Sequence, residues 1–319
     1  MNSTICALIV TYNRCEYLAK LLNALDSQTH PISEIVIFDN CSTDETQDLL
    51  LKRGLIDHAL KNGTSTIRHV RDVRFHCVRN EYNSGGSGGF HDGLKYASNL
   101  ACDYIWMMDD DVLPDAECLQ ELVRHMSSDR RICIPNRTGD GFVDNAIVGF
   151  DMKNPFLYSA NLRKRMIPAN KIAEDVIPVV DMPFEGPLID VTLVREIGLP
   201  KKDLVIIFDD TEYCRRAIEK TEVAFIRSAH MKKQIIPRTD HSRLMGWKEY
   251  YSYRNQHWFD VTYGQNLFVK TMRPIFNVLD LSLRAIVRRK WSNLRVLRRS
   301  YVDGIEGRLG ITVKPGERV

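Results

Sequence analysis

"YIWMMDDDVLPD", residues 104–115, sets five mostly apolar residues directly against three aspartates, Asp109, Asp110 and Asp111. The apolar half reads as a buried strand and the acidic half as its end. Adjacent carboxylates repel one another and no Lys or Arg stands beside them in sequence, so the run needs a cause. A solvated turn capping a helix that begins near Pro114 is one. A calcium loop is a second, but its central Gly and terminal Glu are missing. A third is a divalent cation, Mn²⁺ or Mg²⁺, shared between carboxylates and a phosphorylated ligand. If strand alternation continues through the acids, Asp109 and Asp111 point one way and Asp110 the other.

Strands and helices alternate on the N-terminal side of this stretch. "ICALIV" (5–10) reads as a strand covered on both faces, and "EIVIFDN" (34–40) and "VRFHCVRN" (73–80) as a second and a third strand. "EYLAKLLNALDSQ" (16–28) puts Leu18, Leu21, Leu22 and Leu25 on one helix face, and "STDETQDLLLK" (42–52) is a helix capped by Ser42 or Thr43. "NSGGSGGF" (83–90) reads as a glycine loop entering a helix. Such alternation predicts an α/β fold with a mostly parallel sheet, whose ligands gather beyond the carboxyl ends of the strands. Tyr12, Asp39, Asn83 and the three aspartates all follow predicted strands and so fall on one edge. Residues 130–190 look irregular. "LVIIFDDTEYCRRA" (204–217) ends an apolar run in a second acidic cluster, Asp209, Asp210 and Glu212, which is also what an N-capped surface helix would show. Beyond Tyr250 the pattern is helical, and residues 284–308 carry eight Arg/Lys against Asp303 and Glu306.

Composition limits the function. The net charge of +3 on 319 residues gives no basis for nucleic-acid binding. Eight scattered cysteines without a CxxC pair suit reduced thiols. The apolar run Ile5–Val10 is too short for a signal peptide or a span, so a cytoplasmic protein is expected. The glycines at 85, 86, 88 and 89 do not follow the first strand, which removes the dinucleotide fingerprint. Without Cβ atoms they can still approach a pyrophosphate closely.

In order, "VTYNR" (10–14), "FDNCSTDET" (38–46), "NSGGSGGF", "MMDDDV" (107–112) and "FDDTEYCRRA" (208–217) resemble the motifs of inverting family-two glycosyltransferases of the GT-A fold. The resemblance covers roughly residues 4–255. The further order of a His and "WKEYYSYRN" (247–255) is similar to bacterial galactofuranosyltransferases; rhamnosyltransferases share most of it. It implies a nucleoside-diphosphate sugar as donor, favouring UDP-galactofuranose over dTDP-rhamnose. It also implies a glycan or polyprenyl-linked acceptor. Thr11, Tyr12, Asp39, Arg79, Asn83, Gly85, Gly86, Asp109 and Asp110 would bind the donor. Asp109, Asp111 and His230 would hold the metal, with His241 as the competitor for the last place. Asp210 would be the general base. Glu185, Asp209, Glu212, Trp247 and Tyr251 would meet the acceptor, although a buried packing helix would equally explain the aromatics. A non-catalytic sugar-nucleotide-binding or scaffold protein of the same fold is the alternative from another class.

Residues 1–265 are expected to form the catalytic domain, and 266–319 a basic amphipathic helical extension. With Trp291, Leu294, Leu297 and Tyr301 on one face, that extension can lie on an anionic membrane at the inner face of the cell, or pack on the catalytic domain or a second copy of the chain.

Overall fold

The computed structural model describes residues 3–235 and 244–314. The chain opens with β1 (Ile5–Thr11), α1 (Cys15–Asp26), β2 (Glu34–Asp39), α2 (Thr46–Lys52), β3 (Ser65–Val70), β4 (Val73–Arg79), α3 (Gly85–Ala97) and β5 (Tyr104–Asp109). It continues through β6 (Val112–Pro114), α4 (Cys118–Arg124), β7 (Arg130–Gly139), β8 (Phe142–Val143), β9 (Asn145–Phe150), β10 (Lys164–Pro168), β11 (Val176–Val179) and β12 (Leu188–Asp190). It closes with α5 (Val191–Ile197), α6 (Asp209–Ala217), β13 (Glu222–Lys233), α7 (Trp247–Tyr263), α8 (Leu267–Val287) and α9 (Ser292–Ile305).

The main sheet runs β11-β13-β7-β12-β5-β1-β2-β4-β3. β5, β1, β2 and β4 are parallel neighbours, as is β13 beside β7, while β12 runs against both β5 and β7. β1 shows why its sequence is continuously apolar. Ile5, Ala7 and Ile9 enter one core, and Cys6, Leu8 and Val10 enter the core on the opposite face. Leu18, Leu21, Leu22 and Leu25 of α1 cover the first of these.

Several expectations are corrected. The glycine run is the first turn of α3 itself, because the helix packs so closely on the sheet that side chains would not fit. A Cβ at Gly89 would stand 2.6 Å from Val10, and one at Gly93 3.0 Å from Leu8. The region 130–190 contributes β7, β9, β10, β11 and β12. α2 begins at Thr46, without a side-chain cap from Ser42 or Thr43. The apolar run before Asp209 forms a loop, for a reason given below.

α7, α8 and α9 pack on one another at the C-terminal end. Of the apolar face expected to meet a membrane, Leu297 of α9 is buried and Leu294 and Tyr301 are half-buried, whereas Trp291 is exposed, so packing takes only part of it. All eight cysteines are free thiols.

Candidate active site

The site forms along the carboxyl ends of β5, β1, β2 and β4. β5 stops at Asp109, so alternation does not extend through the acidic run, and Asp110 does not point away from Asp111. A single guanidinium nitrogen of Arg14, Nη1, lies 3.0 Å from Asp110 and 2.9 Å from Asp111. Asp110 is buried and also accepts 2.7 Å from Thr11 Oγ1. Thr11 is buried too, so it braces Asp110, while the Tyr12 ring stays 42% exposed at the edge. Asp109 differs: it accepts no hydrogen bond from any described residue. Burial raises its pKa well above the carboxylate range, and Asp111, Asp110 and Glu185 raise it further. Burial also lifts Asp110, to about 6, against the pull of Arg14.

β2 and β4 bring Asp39 and Arg79 into register, and Arg79 Nη1 donates to Asp39 at 2.5 Å. The Ser42 amide donates to the same buried carboxylate at 2.7 Å. Asparagines then hold the glycine-rich start of α3. Asn40 Nδ2 donates to Asn83 Oδ1 and to the Gly85 carbonyl, and Asn80 donates to Asn40 Oδ1. Gly85, at φ +78°, lies under Val205, whose carbonyl oxygen would stand 2.5 Å from any Cβ there. The Ser87 amide donates to that carbonyl at 3.0 Å. The glycine helix and the loop before α6 are therefore one packed unit.

That loop carries strain. Val205, Ile207 and Phe208 have φ values of 69°, 65° and 73°, a region that β-branched and aromatic residues rarely occupy. It is held from α7: Asn255 Nδ2 donates to the carbonyls of Leu204, Ile206 and Ile207, and Arg254 donates to those of Asp203 and Leu204. The loop delivers Asp209, Asp210 and Glu212 in the first turn of α6. Asp209 is 7% exposed, and Glu212 is sealed at 0%, bound by Arg216 and the Tyr263 hydroxyl. Asp210 alone of the three is half-open to solvent. No described cation forms an ion pair with it. Burial raises its pKa to about 8, with Asp209 and Asp181 adding to the rise. Asp181 is held by Lys164 Nζ at 2.6 Å through one oxygen, while its other oxygen, Oδ1, is buried without a hydrogen-bond partner.

The remaining expected residues divide. Glu185 takes two cations, Arg137 at 2.7 Å and Lys233 at 2.5 Å; burial pushes its pKa up, but these cations leave it below the usual range. Tyr251 is fully buried with its hydroxyl on the Val313 carbonyl, and Trp247 packs against it. Tyr251 and Glu212 are thus sealed from an acceptor, as a packing helix requires. His230 is an exposed residue on β13, and its ring does not gather with Asp109 and Asp111. His241 lies outside the described residues. Among the described residues, Glu121, His125 and Asp175 have ligand atoms close enough to share an ion. Their contacts with one another and with Ser228 already satisfy them. Arg14, Asn40, Asn80 and Asp181 escaped sequence reasoning. Arg14 and Asn40 carried a signal, their places inside "VTYNR" and "FDNCSTDET".

Residues 6–169 match the model of glycosyl transferase family 2. The chain belongs to glycosyl transferase family 2. Galactofuranosyltransferase GlfT1 of Mycolicibacterium smegmatis is 22% identical over 217 residues, 68% of this chain and 66% of that protein. This chain thus spans just under two thirds of that relative's length. Among solved structures, Mannosyltransferase PcManGT from Pyrobaculum calidifontis, in complex with GDP-Man and Mn²⁺, superposes with a TM-score of 0.55. It is 13% identical, and the match covers 96% of this chain and 88% of that one. TarS 1–349 of S. aureus in complex with UDP gives a TM-score of 0.54 at 15% identity, over 95% and 88% of the two chains. These likenesses fix the fold as GT-A: a mostly parallel central sheet with helices and a helical C-terminal region.

Gly85→Ala should cost about 1–2 kcal/mol from the left-handed conformation alone, and more from the contact with Val205, read as a lower denaturant midpoint. Gly86→Ala, with nothing within 4 Å of its Cβ, should leave the midpoint unchanged. Equal shifts in the two variants would refute the packing described.

Proposed function

We propose that this protein is an inverting, metal-dependent glycosyltransferase that moves a hexose from a nucleoside-diphosphate sugar, UDP-galactofuranose in the first instance, to a glycan or polyprenyl-linked acceptor. Synthesis of a bacterial surface polysaccharide on the cytoplasmic face of the membrane is the setting that fits. The observation that carries the reading is Asp210: a half-open carboxylate without an ion-pair partner in a first turn whose other acids are buried.

The acceptor hydroxyl attacks the anomeric carbon from the face opposite the diphosphate. A carbon–oxygen bond forms to the acceptor as the bond to the phosphate oxygen breaks, and Asp210 takes the hydroxyl proton. Asp181, itself buried, adds to the rise in the pKa of Asp210 and so helps it hold the proton it takes. Asp39 and Arg79 form the floor under the base and ribose, the Tyr12 ring supplies an exposed face, and α3 offers backbone at the diphosphate. A divalent cation fits the acidic edge, since Asp109 lacks any hydrogen-bond donor and crowds against three other acids. Asp109 and Asp111 would hold it, and when bound it would neutralise charge on the departing diphosphate. We assign the chemistry to residues 1–265, with 266–319 as an appended helical region.

Donor hydrolysis across a panel of nucleotide sugars, with Mn²⁺ and with EDTA, tests the reading. UDP-galactofuranose should be cleaved fastest, EDTA should abolish cleavage, and Asp109→Ala should lose Mn²⁺-dependent UDP binding. Full activity in EDTA would sink the metal role; preference for dTDP-rhamnose would reassign the donor.

A further inference from the structure

α8 is built inside out. Its buried positions are Val269, Arg273, Pro274, Asn277 and Ala285, and the two polar ones are tied to the body of the protein. Arg273 donates to Asp151 and Asp260, while Asn277 meets His257 and donates to the Tyr158 carbonyl. The apolar stripe of the same helix turns outward. Phe268 is 67% exposed, Leu279 60%, Leu283 62% and Val287 74%, and Trp291 in the turn after the helix is 61% exposed. Within α8 the spacings of eleven and four residues keep Phe268, Leu279, Leu283 and Val287 on one side of the helix. Phe156, itself exposed, stacks on Phe276 of α8 at 5.4 Å between ring centres and widens the patch from a distant part of the chain. Monomeric surfaces rarely leave a helix-long apolar face bare.

The charge around the patch selects its occupant. Exposed Arg284, Arg288, Arg289, Arg295 and Arg298 cluster at the α8–α9 turn, and Asp280 is the sole acid between residues 267 and 299. A second copy docking by a two-fold axis would bring these arginines against themselves. Apolar side chains, an interfacial tryptophan and a guanidinium collar together match an anionic lipid surface. We propose that the outward face of α8, with Trp291 and the arginines of the α8–α9 turn, seats this protein on an anionic membrane. Of the face expected from sequence, Leu297 of α9 is buried, whereas Trp291 stays exposed beside the stripe of α8. The inference deepens the membrane-side setting proposed above, yet its test needs no turnover.

The full chain should co-sediment with vesicles of equal parts phosphatidylcholine and phosphatidylglycerol, and far less with phosphatidylcholine alone. Leu283→Asp combined with Val287→Asp should cut that partition at least tenfold. Arg288→Glu combined with Arg295→Glu should cut it by a similar factor, since each basic residue at the surface contributes roughly fivefold. Both pairs lie on exposed positions, so circular dichroism and UDP affinity should be unchanged. Fluorescence of the native chain minus that of Trp291→Phe should shift to the blue with mixed vesicles. No vesicle binding, binding indifferent to both pairs, or a dimer in light scattering that Leu283→Asp with Val287→Asp dissociates would overturn the proposal. Because UDP affinity is measured without lipid, loss of vesicle binding with intact UDP binding rejects the membrane face alone. Failure to bind UDP rejects the glycosyltransferase reading.

Discussion

Asp210→Asn should fold, bind UDP with near-native affinity and lose turnover by about 10²–10⁴-fold, the range expected when a general base is removed. The amide keeps the size and the hydrogen bond from the Thr211 amide, made at 2.7 Å to Oδ1, but it cannot accept the acceptor's proton. Two pH signatures accompany the loss. A base with its pKa raised to about 8 must be deprotonated to act, so kcat/KM of the native protein should climb with pH and level off near that value. Stability moves the opposite way. Burial, first, and the neighbouring acids hold the proton more tightly in the folded chain than in the unfolded one. The folded state is therefore favoured most below the ordinary carboxylate range, and it should lose stability as pH rises toward about 8. Asp210→Asn should flatten that decline, as a chemical-denaturation series across pH would show. Near-native turnover in the variant would reject Asp210 as the base, and Glu212, sealed beneath Arg216 and Tyr263, could not take its place.

How much of this was legible in the sequence follows from where the information sits. β1, β2 and β5 announce themselves because both their faces are covered, and a strand in that setting needs an apolar run without interruption. β3 is an edge strand of alternating exposure, and β7, β11, β12 and β13 gain their identity from partners far along the chain, which no local pattern encodes. The glycine run misleads because intrinsic propensity opposes a helix there, whereas contact with Val10 and Leu8 demands residues without side chains. "LVIIF" misleads in the opposite direction. Its β-branched residues ask for a strand, and Asn255, fifty residues on, holds their carbonyls in a left-handed loop instead. The acids of the site could be read because chemistry demands those residue types. The asparagines that position the glycine helix could not, since an Asn in a loop has many ordinary uses. On α8 the apolar period was plain, but which side of the helix faced inward was decided by Arg273 and Asn277, not by the stripe.

The largest loss of stability should come from Asp260→Ala. Asp260, at 0% exposure, accepts from Arg163 at 2.7 and 3.1 Å and from Arg273 at 3.4 Å, and both arginines are equally enclosed. Arg163 precedes β10, Asp260 sits on α7 and Arg273 on α8, so one carboxylate joins the catalytic body to the C-terminal helices. Removing it leaves two guanidinium groups facing each other out of water. Arg273 keeps Asp151 and Arg163 keeps the carbonyls of Tyr158 and Ser159, which softens the loss without restoring charge balance. Breaking a buried ion pair by deleting one partner costs about 3–5 kcal/mol. Asp260→Asn, which keeps the shape but not the charge, should recover only part of it. The measurement is the denaturant midpoint of each variant followed by both tryptophan fluorescence and far-ultraviolet circular dichroism. If α7 and α8 are held to the catalytic body mainly through this carboxylate, the two probes should separate in Asp260→Ala, the helices melting before the sheet. Coincident transitions shifted by less than about 1 kcal/mol would mean that the bonds from Arg254, Asn255 and Tyr263 of α7 to the loop before α6 and to α6 hold the helices to the body without the ion cluster.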